Sequence, residues 1–204
     1  VSKGSSAGIF GKVDADATKD YKLTNNGTVN LLSGDIILKG GSENKETKGV
    51  VLNGANQTLN RTGGNINLED HSHVFVNTGS GNTFNLAGSD IVLKNNSIYA
   101  YSNDINSKIY NNTNLKFDGT RGQNLGIYSN GLVENYANID LTKGYGNIGI
   151  YSYGQKAKNT GIITVGASDT ANDLYNIGMA SGLVLGECMS RNLSISSRFS
   201  SLFV

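Results

Sequence analysis

The feature of this sequence that most limits its fold is an internal repeat with a period near 24 residues. One kind of strand-like segment carries two apolar residues separated by one residue, and its first apolar residue recurs at spacings of 25, 24, 24 and 24. These first residues are Ile66, Ile91, Leu115, Ile139 and Ile163. A period of this length is typical of solenoids, in which each repeat buries its apolar face only against its neighbours.

A second kind of strand-like segment keeps nearly the same period, with spacings of 24, 24, 29, 23 and 29 residues. Its first apolar residues are Val50, Val74, Ile98, Ile127, Ile150 and Met179. Parallel neighbouring strands need a long connection between them, and in a solenoid the rest of each coil provides it. We therefore predict an all-β fold, a right-handed parallel β-helix with coils of about 24 residues.

Composition agrees with such a stack of coils. The chain contains 27 Gly and 28 Asn, residues that tolerate left-handed backbone conformations at turns, and it has no Pro. Its single cysteine, Cys188, cannot form a disulfide within the chain, so the stability must come from stacking. With 16% charged residues and a net charge of +1, the chain has no charge pattern typical of binding to nucleic acid or to an anionic membrane.

Alternation within the first kind of strand predicts which side chains face inward. Ile66, Ile91, Leu115, Ile139 and Ile163 are predicted to form one stack inside the coils, while the residue after each faces outward. Lys116 and Asp140 are therefore expected to meet on adjacent coils of the outer face.

Four aromatic residues of the second kind of strand are the candidate ligand-facing surface. Phe75, Tyr99, Tyr128 and Tyr151 are predicted to share one register position and to form an outward ladder, although a reversed register would turn them inward. An outward ladder could stack on sugar rings or on the apolar surface of a partner. The same residues could instead serve only to tie neighbouring coils together.

The repeat also predicts how the chain is organised. Residues 1–47 are expected to form irregular N-terminal coils, because the repeat is weak there, and residues 48–182 to form the regular β-helix. Residues 183–204 leave the pattern and are expected to form a non-repeat tail, either a cap or an aberrant sequence.

The segments LGIYSNGLVENYANIDLTKG and IGIYSYGQKAKNTGIITVG resemble repeats of type V autotransporter passengers, in particular those of large fusobacterial outer-membrane adhesins. The resemblance covers residues 48–182 and implies a virulence-associated stalk, displayed on the cell surface or secreted, whose parent protein is anchored by an outer-membrane barrel. The printed chain has neither a signal peptide nor barrel strands, so the expectation is a fragment of such a passenger. The resemblance implies no ligand.

Two motifs could suggest chemistry. Gly144-Tyr145-Gly146-Asn147-Ile148-Gly149 matches the spacing of a dinucleotide-binding loop, but the following residues have no helical period, so we predict a coil corner and no cofactor. His71 and His73 could start a metal site on one side of an extended segment, but no third ligand of the same kind follows. We predict an exposed corner there and no metal.

The sequence favours a structural and adhesive segment over an enzyme, with host cells, other bacteria or glycans as partners. The alternative is a polysaccharide lyase or hydrolase, since β-helices also carry such enzymes, whose chemistry needs carboxylates and basic residues converging in one groove. The acidic residues are dispersed along the coils, and the only arginines before the tail are Arg61 and Arg121. We therefore predict no catalytic residues.

Overall fold

The computed structural model describes residues 6–10, 12–16, 19–22, 27–32, 35–43, 45–120 and 122–181. They form a β-solenoid of about 5 turns with coils of about 25 residues. The all-β fold and the coil length predicted from the repeat are therefore confirmed. The predicted tail, residues 183–204, and Arg121 lie outside the described residues.

The first face of the solenoid is a seven-stranded parallel sheet, here called sheet 1. Its strands are β1 (Ser6–Phe10), β6 (Thr47–Leu52), β9 (Ser72–Asn77), β12 (Ile98–Ser102), β15 (Leu125–Ser129), β18 (Ile148–Ser152) and β21 (Ile177–Ser181). It contains the second kind of strand predicted from the sequence.

The second face, sheet 2, has six parallel strands, and sequence reasoning missed it. Its strands are β4 (Thr28–Leu31), β7 (Thr58–Arg61), β10 (Thr83–Leu86), β13 (Lys108–Asn111), β16 (Leu132–Asn135) and β19 (Ala157–Asn159). Several of these strands place a single apolar side chain in the core, as Ile109 and Val133 do beside the buried polar residues Asn111 and Asn135. That pattern is too polar to suggest a buried strand.

The third face, sheet 3, contains the first kind of strand and consists of a two-stranded and a four-stranded parallel part. Its strands are β5 (Ile36–Leu38), β8 (Ile66–Leu68), β11 (Ile91–Leu93), β14 (Leu115–Phe117), β17 (Ile139–Leu141) and β20 (Ile163–Val165). Each coil thus contributes one short strand to each of three faces.

Two elements depart from this arrangement. In the N-terminal region, β2 (Lys12–Asp16) and β3 (Lys19–Lys22) form an antiparallel hairpin. The connection between β20 and β21 contains a short 3-10 helix at Thr170–Asn172. The other described strands of residues 1–47 already belong to the three faces, since β1 pairs with β6, β4 with β7 and β5 with β8.

The stack predicted for sheet 3 is confirmed from Ile91 to Ile163, whereas Ile66 belongs to the separate two-stranded part. Leu115 lies opposite Ile91 on one side and Ile139 on the other, Ile139 lies opposite Ile163, and Ile66 lies opposite Ile36 in the two-stranded part. The first four of the predicted residues are buried and Ile163 packs against the core at its end. Each fully buried Ile or Leu stabilises the fold by about 1.5 to 3 kcal/mol.

The outward pair Lys116 and Asp140 behaves differently from the prediction. The two residues are register partners, but Nζ of Lys116 lies 3.0 Å from Oδ2 of Asp90 on the preceding coil. Asp140 instead accepts hydrogen bonds at Oδ1 from the backbone N–H and the hydroxyl of Thr142, which hold its pKa below the usual value. A local turn partner is preferred because it orders fewer side-chain torsions than a long lysine does.

The register predicted for sheet 1 was wrong in its centre. Val50, Ile127, Ile150 and Met179 do share one column, but the members from β9 and β12 are Phe75 and Ala100, not Val74 and Ile98. The neighbouring column explains the error, because it holds Gly126 and Gly149 on later coils and Val74 and Tyr99 on earlier ones. Adjacent apolar residues in β9 and β12 hide the alternation that would reveal which of them faces inward.

A ladder of asparagines at the end of sheet 2 connects neighbouring coils inside the solenoid. Nδ2 of Asn111 donates to Oδ1 of Asn135, and Nδ2 of Asn135 donates to Oδ1 of Asn159, each at 2.6 Å. Each amide also donates to a backbone carbonyl two residues on, for example that of Ala137. The stack can bury these polar side chains because they satisfy one another and the adjoining turn.

A second polar ladder follows the corner that leads into sheet 1. The backbone N–H of Ser97 donates to Oδ1 of Asn124, that of Asn124 to Oδ1 of Asn147, and that of Asn147 to Oδ1 of Asn176. The side chain of each coil therefore accepts the corner N–H of the preceding coil. The corner is fixed at the point where the chain enters sheet 1.

Candidate functional site

Three tyrosines stack in register on the outer face of sheet 1, and they form the tyrosine ladder, defined as Tyr101, Tyr128 and Tyr151. The ring centroids of Tyr101 and Tyr128 are 5.0 Å apart with an interplanar angle of 14°, and those of Tyr128 and Tyr151 are 5.5 Å apart at 11°. Parallel rings at this separation stabilise neighbouring coils beyond the area that they bury.

In β15 and β18, the strands of Tyr128 and Tyr151, a glycine precedes the residue that points into the core, whereas Tyr99 takes this position in β12. In β15, Ile127 points into the core, whereas Leu125 and Tyr128 belong to a separate apolar cluster on the outside. Gly126 lies between them, and a Cβ at this position would fall 2.3 Å from the backbone oxygen of Gly149. The close approach of the two backbones thus needs glycine and brings two outward rows of side chains together.

The outer cluster surrounds the ladder along its length. Its buried members other than Tyr101 are Val51, Val76, Ile98, Leu125 and Ile148. Tyr101 is 6% exposed, whereas Tyr128 and Tyr151 are half-buried. The ladder therefore becomes more accessible from the coil of β12 towards that of β18.

The phenols of the ladder stay neutral over a wide pH range. Burial raises the pKa of Tyr101 to about 12, and the phenol of Tyr128 adds to this effect. Burial and then neighbouring tyrosines also raise the pKa values of Tyr128 and Tyr151. Neutral phenols can both donate and accept hydrogen bonds, so any partner of this surface would meet hydroxyl groups and ring edges.

Only two of the four predicted ladder residues belong to this surface. Phe75 and Tyr99 are fully buried in the core, with ring centroids 5.4 Å apart and an edge-to-face angle of 81°. Phe75 lies in the inward column beside Ala100, and the outward aromatic of β12 is Tyr101. The sequence does contain a signal for this register, because each ladder tyrosine is followed by a buried serine, Ser102, Ser129 or Ser152.

A pocket of about 430 Å³ adjoins the buried end of the ladder, and we call it the corner pocket. It is lined by Thr78, Gly79, Ser80, Tyr101, Asn103 and Asp104. These residues come from two adjacent coils, at the corners that follow β9 and β12. The pocket therefore combines part of an aromatic side chain with hydroxyl, amide and carboxylate groups.

Hydrogen bonds fix the polar side chains of the pocket. Oδ2 of Asp104 accepts from the backbone N–H of Gly81 at 2.7 Å, and the backbone oxygen of Asp104 accepts from the Ser107 hydroxyl at 2.7 Å. Oδ1 of Asn103 accepts from Nδ2 of Asn130 at 2.8 Å. The corner after β12 is thus tied to the coils on both sides of it.

The pocket lies where the corners between sheets 1 and 2 change length. The corner after β9 (78–82) and the corner after β12 (103–107) each contain five residues. The corner after β15 contains two, 130 and 131. The two longer corners therefore extend beyond the shorter one and line the pocket beside Tyr101. The spacing of 29 between Ile98 and Ile127 has two other causes. Ile98 lies opposite Leu125, two residues before Ile127, and seven residues, 118–124, separate β14 from β15, whereas four, 94–97, separate β11 from β12.

The glycine motif at Gly144 forms a coil corner, as predicted. Gly144 and Gly146 adopt left-handed backbone conformations, with φ of +74° and +69°. The chain then enters strand β18 where a dinucleotide-binding loop would lead into a helix. Leu174 packs close to Gly146 from the next corner, which further occupies this position.

The two histidines are held apart by their backbone and burial. His71 has a left-handed φ of +57°, so the segment is not extended there, and His73 lies in β9 with 5% exposure. The exposed corner predicted for both is therefore wrong for His73. Burial lowers the pKa of His73 to about 3 and keeps its imidazole neutral. Among the described residues, no three His, Cys, Asp or Glu side chains lie close enough to hold a metal ion together.

The side chain of Arg61 is buried inside the solenoid and does not line a surface groove. It is 1% exposed, its Nη1 donates to the Ala87 carbonyl and the Thr113 hydroxyl, and its Nη2 donates to the Gly64 and Ser89 carbonyls. Burial lowers its pKa. These hydrogen bonds join three consecutive coils. The sequence alone did not suggest this role for Arg61.

No known family model, curated protein or solved structure matches this chain. In the part of the chain that the structure describes, no helix has the length and apolar character needed to cross a membrane. The residues themselves therefore carry the functional argument.

Proposed function

We propose that this chain is a structural and adhesive segment of a bacterial surface-displayed passenger protein. Its coils extend the molecule, and its tyrosine ladder with the adjoining corner pocket is the surface that contacts a partner on host cells or on other bacteria. The observation that carries this proposal is the tyrosine ladder, because stacked aromatic side chains on the outside of the coils combine apolar area with hydroxyl groups.

The repeated architecture supports the extending role. Coils that pack only on their neighbours form a stack whose length grows by about 4.8 Å per coil. The amide ladder from Asn111 to Asn159 holds the coils of β13, β16 and β19 in a fixed register. A stack of this kind presents side chains at regular spacing along its outside.

The adhesive role is tested with beads coated with the chain and washed over epithelial cells and over bacterial cells under flow. In the test variant, Tyr128→Val and Tyr151→Val remove two rings, and valine is compatible with the coil because Val51 and Val76 occupy the same column. The matched control changes Tyr110→Asn in β13 of sheet 2 and Tyr136→Asn directly after β16. Asn85 is the register partner of Tyr110, so asparagine is compatible with that strand.

We expect coated beads to be retained above albumin-coated beads, the ladder variant to lose most of this retention and the control to keep it. Melting followed by circular dichroism verifies that all variants fold. Retention no greater than that of albumin beads, or equal losses in the ladder variant and the control, would refute the adhesive role.

A further inference from the structure

We propose that the corner pocket binds one hexopyranose unit of a glycan. This inference rests on the proposed adhesive function and names the ligand chemistry of its surface. The size of the pocket, its hydrogen-bonding groups and the rigidity of its two corners support this proposal.

The volume and the lining of the pocket suit a small polyhydroxylated ring. About 430 Å³ lies within the range of small-molecule sites in proteins. Thr78 and Ser80 contribute hydroxyl groups, Asn103 an amide, Asp104 a carboxylate and Tyr101 the small exposed part of its aromatic side chain. A sugar needs both donors and acceptors around its hydroxyls and an apolar surface against its C–H groups, and this lining provides all three.

Asp104 and Asn103 can receive a pair of neighbouring sugar hydroxyls. Oδ2 of Asp104 is occupied by Gly81, but Oδ1 has only a long contact of 3.5 Å with the Ser80 hydroxyl and keeps capacity to accept. Oδ1 of Asn103 is occupied by Asn130, so its amide nitrogen is the group that can donate. A charged acceptor beside an amide donor matches a vicinal diol, in which each hydroxyl can both donate and accept.

The two corners that form the pocket are already ordered. Asp104 is held through its side chain by Gly81 and through its backbone oxygen by Ser107. A Cβ at Gly79 would lie 1.9 Å from the Gly54 carbonyl, so the corner after β9 packs directly on the preceding one. Ordered walls reduce the conformational entropy that a ligand must overcome on binding.

A divalent cation is the competing ligand, and the lining favours it less. Ca²⁺ takes six to eight oxygen ligands, usually with several carboxylates. Among the described residues, Asp104 is the one carboxylate that lines the pocket, and one of its oxygens accepts from a backbone N–H. Calcium is therefore included in the experiment as the alternative outcome.

The test uses the full chain labelled with ¹⁵N and titrated with methyl glycosides of galactose, glucose, mannose and N-acetylglucosamine, and separately with calcium chloride. Amide shifts of the pocket residues are followed in each titration. Asp104→Asn removes the charged acceptor while keeping the side-chain shape. Its matched control is Asp90→Asn on the outer face of sheet 3, where Asn114 is the neighbouring side chain on the next coil.

We expect at least one glycoside to bind at the pocket with a millimolar Kd, as is usual for a single small ring. Asp104→Asn should weaken that binding by about tenfold, because it replaces a charge-assisted hydrogen bond with a neutral one, and Asp90→Asn should leave it unchanged. Shifts caused by calcium and by none of the sugars, no shifts at all, or equal Kd values for Asp104→Asn and the unaltered chain would each overturn the proposal.

The bead assay separates this proposal from the adhesive function. If beads carrying Asp104→Asn are retained as well as the unaltered chain and no glycoside binds, the pocket proposal fails while the adhesive role stands. If a glycoside binds at the pocket but the coated beads are not retained, the sugar site is supported and the adhesive role is refuted.

Discussion

At the scale of single residues, the solenoid is held by side chains that repeat their own partner on the next coil. Isoleucine and leucine meet isoleucine and leucine inside sheet 3, and asparagine meets asparagine at the end of sheet 2. Replacing one buried asparagine by an apolar residue lowers the free energy of unfolding, because its partners stay buried and lose a hydrogen bond. The contribution of each asparagine to stability therefore increases with its burial.

We expect Asn135→Ala to lower the free energy of unfolding by about 2 to 4 kcal/mol, because it leaves polar groups of Asn111, Asn159 and the Ala137 carbonyl unpaired inside the protein. The control is Asn60→Ala in the more accessible ladder of Asn30, Asn60 and Asn85, where water can replace the lost amide. That change should cost about 1 kcal/mol or less. Denaturant unfolding measures both, and equal losses would contradict the argument from burial.

At the scale of strands, the shape of sheet 1 depends on glycines that let consecutive backbones approach. The approach is closest at Gly126 and Gly149, where an added Cβ would meet a backbone oxygen of the next coil at 2.3 and 2.4 Å. At Gly178, in the same column, the nearest atoms of the described residues would be side-chain methyl groups, at 3.1 Å from Val165 and 3.3 Å from Ile163. A side chain can rotate away, whereas a strand in a parallel sheet cannot move without breaking its hydrogen bonds.

Gly126→Ala should therefore destabilise the protein by about 1 to 3 kcal/mol, the range for forcing extra atoms into a packed region. Gly178→Ala should cost clearly less, since the groups of the described residues that it would meet are two methyl groups, which can give way. Thermal melts of the two variants measure the difference. A larger loss for Gly178→Ala would mean that the backbone contact at Gly126 does not control this part of sheet 1.

The same column shows how far sequence reasoning could reach. The period and the isolated apolar residues of sheet 3 were enough to predict the fold class and the stack through Ile139, because alternation there is unambiguous. The register of β12 could not be read, since Ile98, Tyr99, Ala100 and Tyr101 are all apolar and both Ile98 and Tyr101 belong to the outer cluster.

The candidate site was predictable only in part for the same reason. Tyr128 and Tyr151 were placed in one column correctly, whereas Phe75 and Tyr99 were taken for their neighbours in place of Tyr101. The corner pocket depends on a difference in corner length between adjacent coils, and it is visible only once all three strands of a coil are assigned. Sheet 2 is too polar for its strands to stand out in the sequence.

At the scale of the whole molecule, stability is shared between neighbours along one axis. In such an arrangement a defect in one coil spreads to the coils that pack on it and fades with distance. Ile139 lies between Leu115 and Ile163, so it joins three coils, whereas the next residue, Asp140, faces outward and bonds within its own turn.

We expect Ile139→Asp to raise amide hydrogen exchange in β14, β17 and β20 together, because a buried carboxylate without a partner disrupts the stack on both sides. The more distant strands β7 and β8 should keep their protection longest. Asp140→Asn should leave exchange in these strands unchanged. Exchange that rises only in β17 would show that the coils do not depend on one another.

The buried amide ladders also affect how the number of coils can vary. Asn135 accepts from Asn111 on one coil and donates to Asn159 on the other, so it meets the same residue type on both sides. A coil with asparagine at this position can therefore pack on another coil that has one. This pairing does not depend on the number of coils in the stack. Gene duplication or deletion of one repeat would therefore leave the contacts at each junction intact, and the reach of the molecule can change in steps while its neighbouring surfaces stay the same.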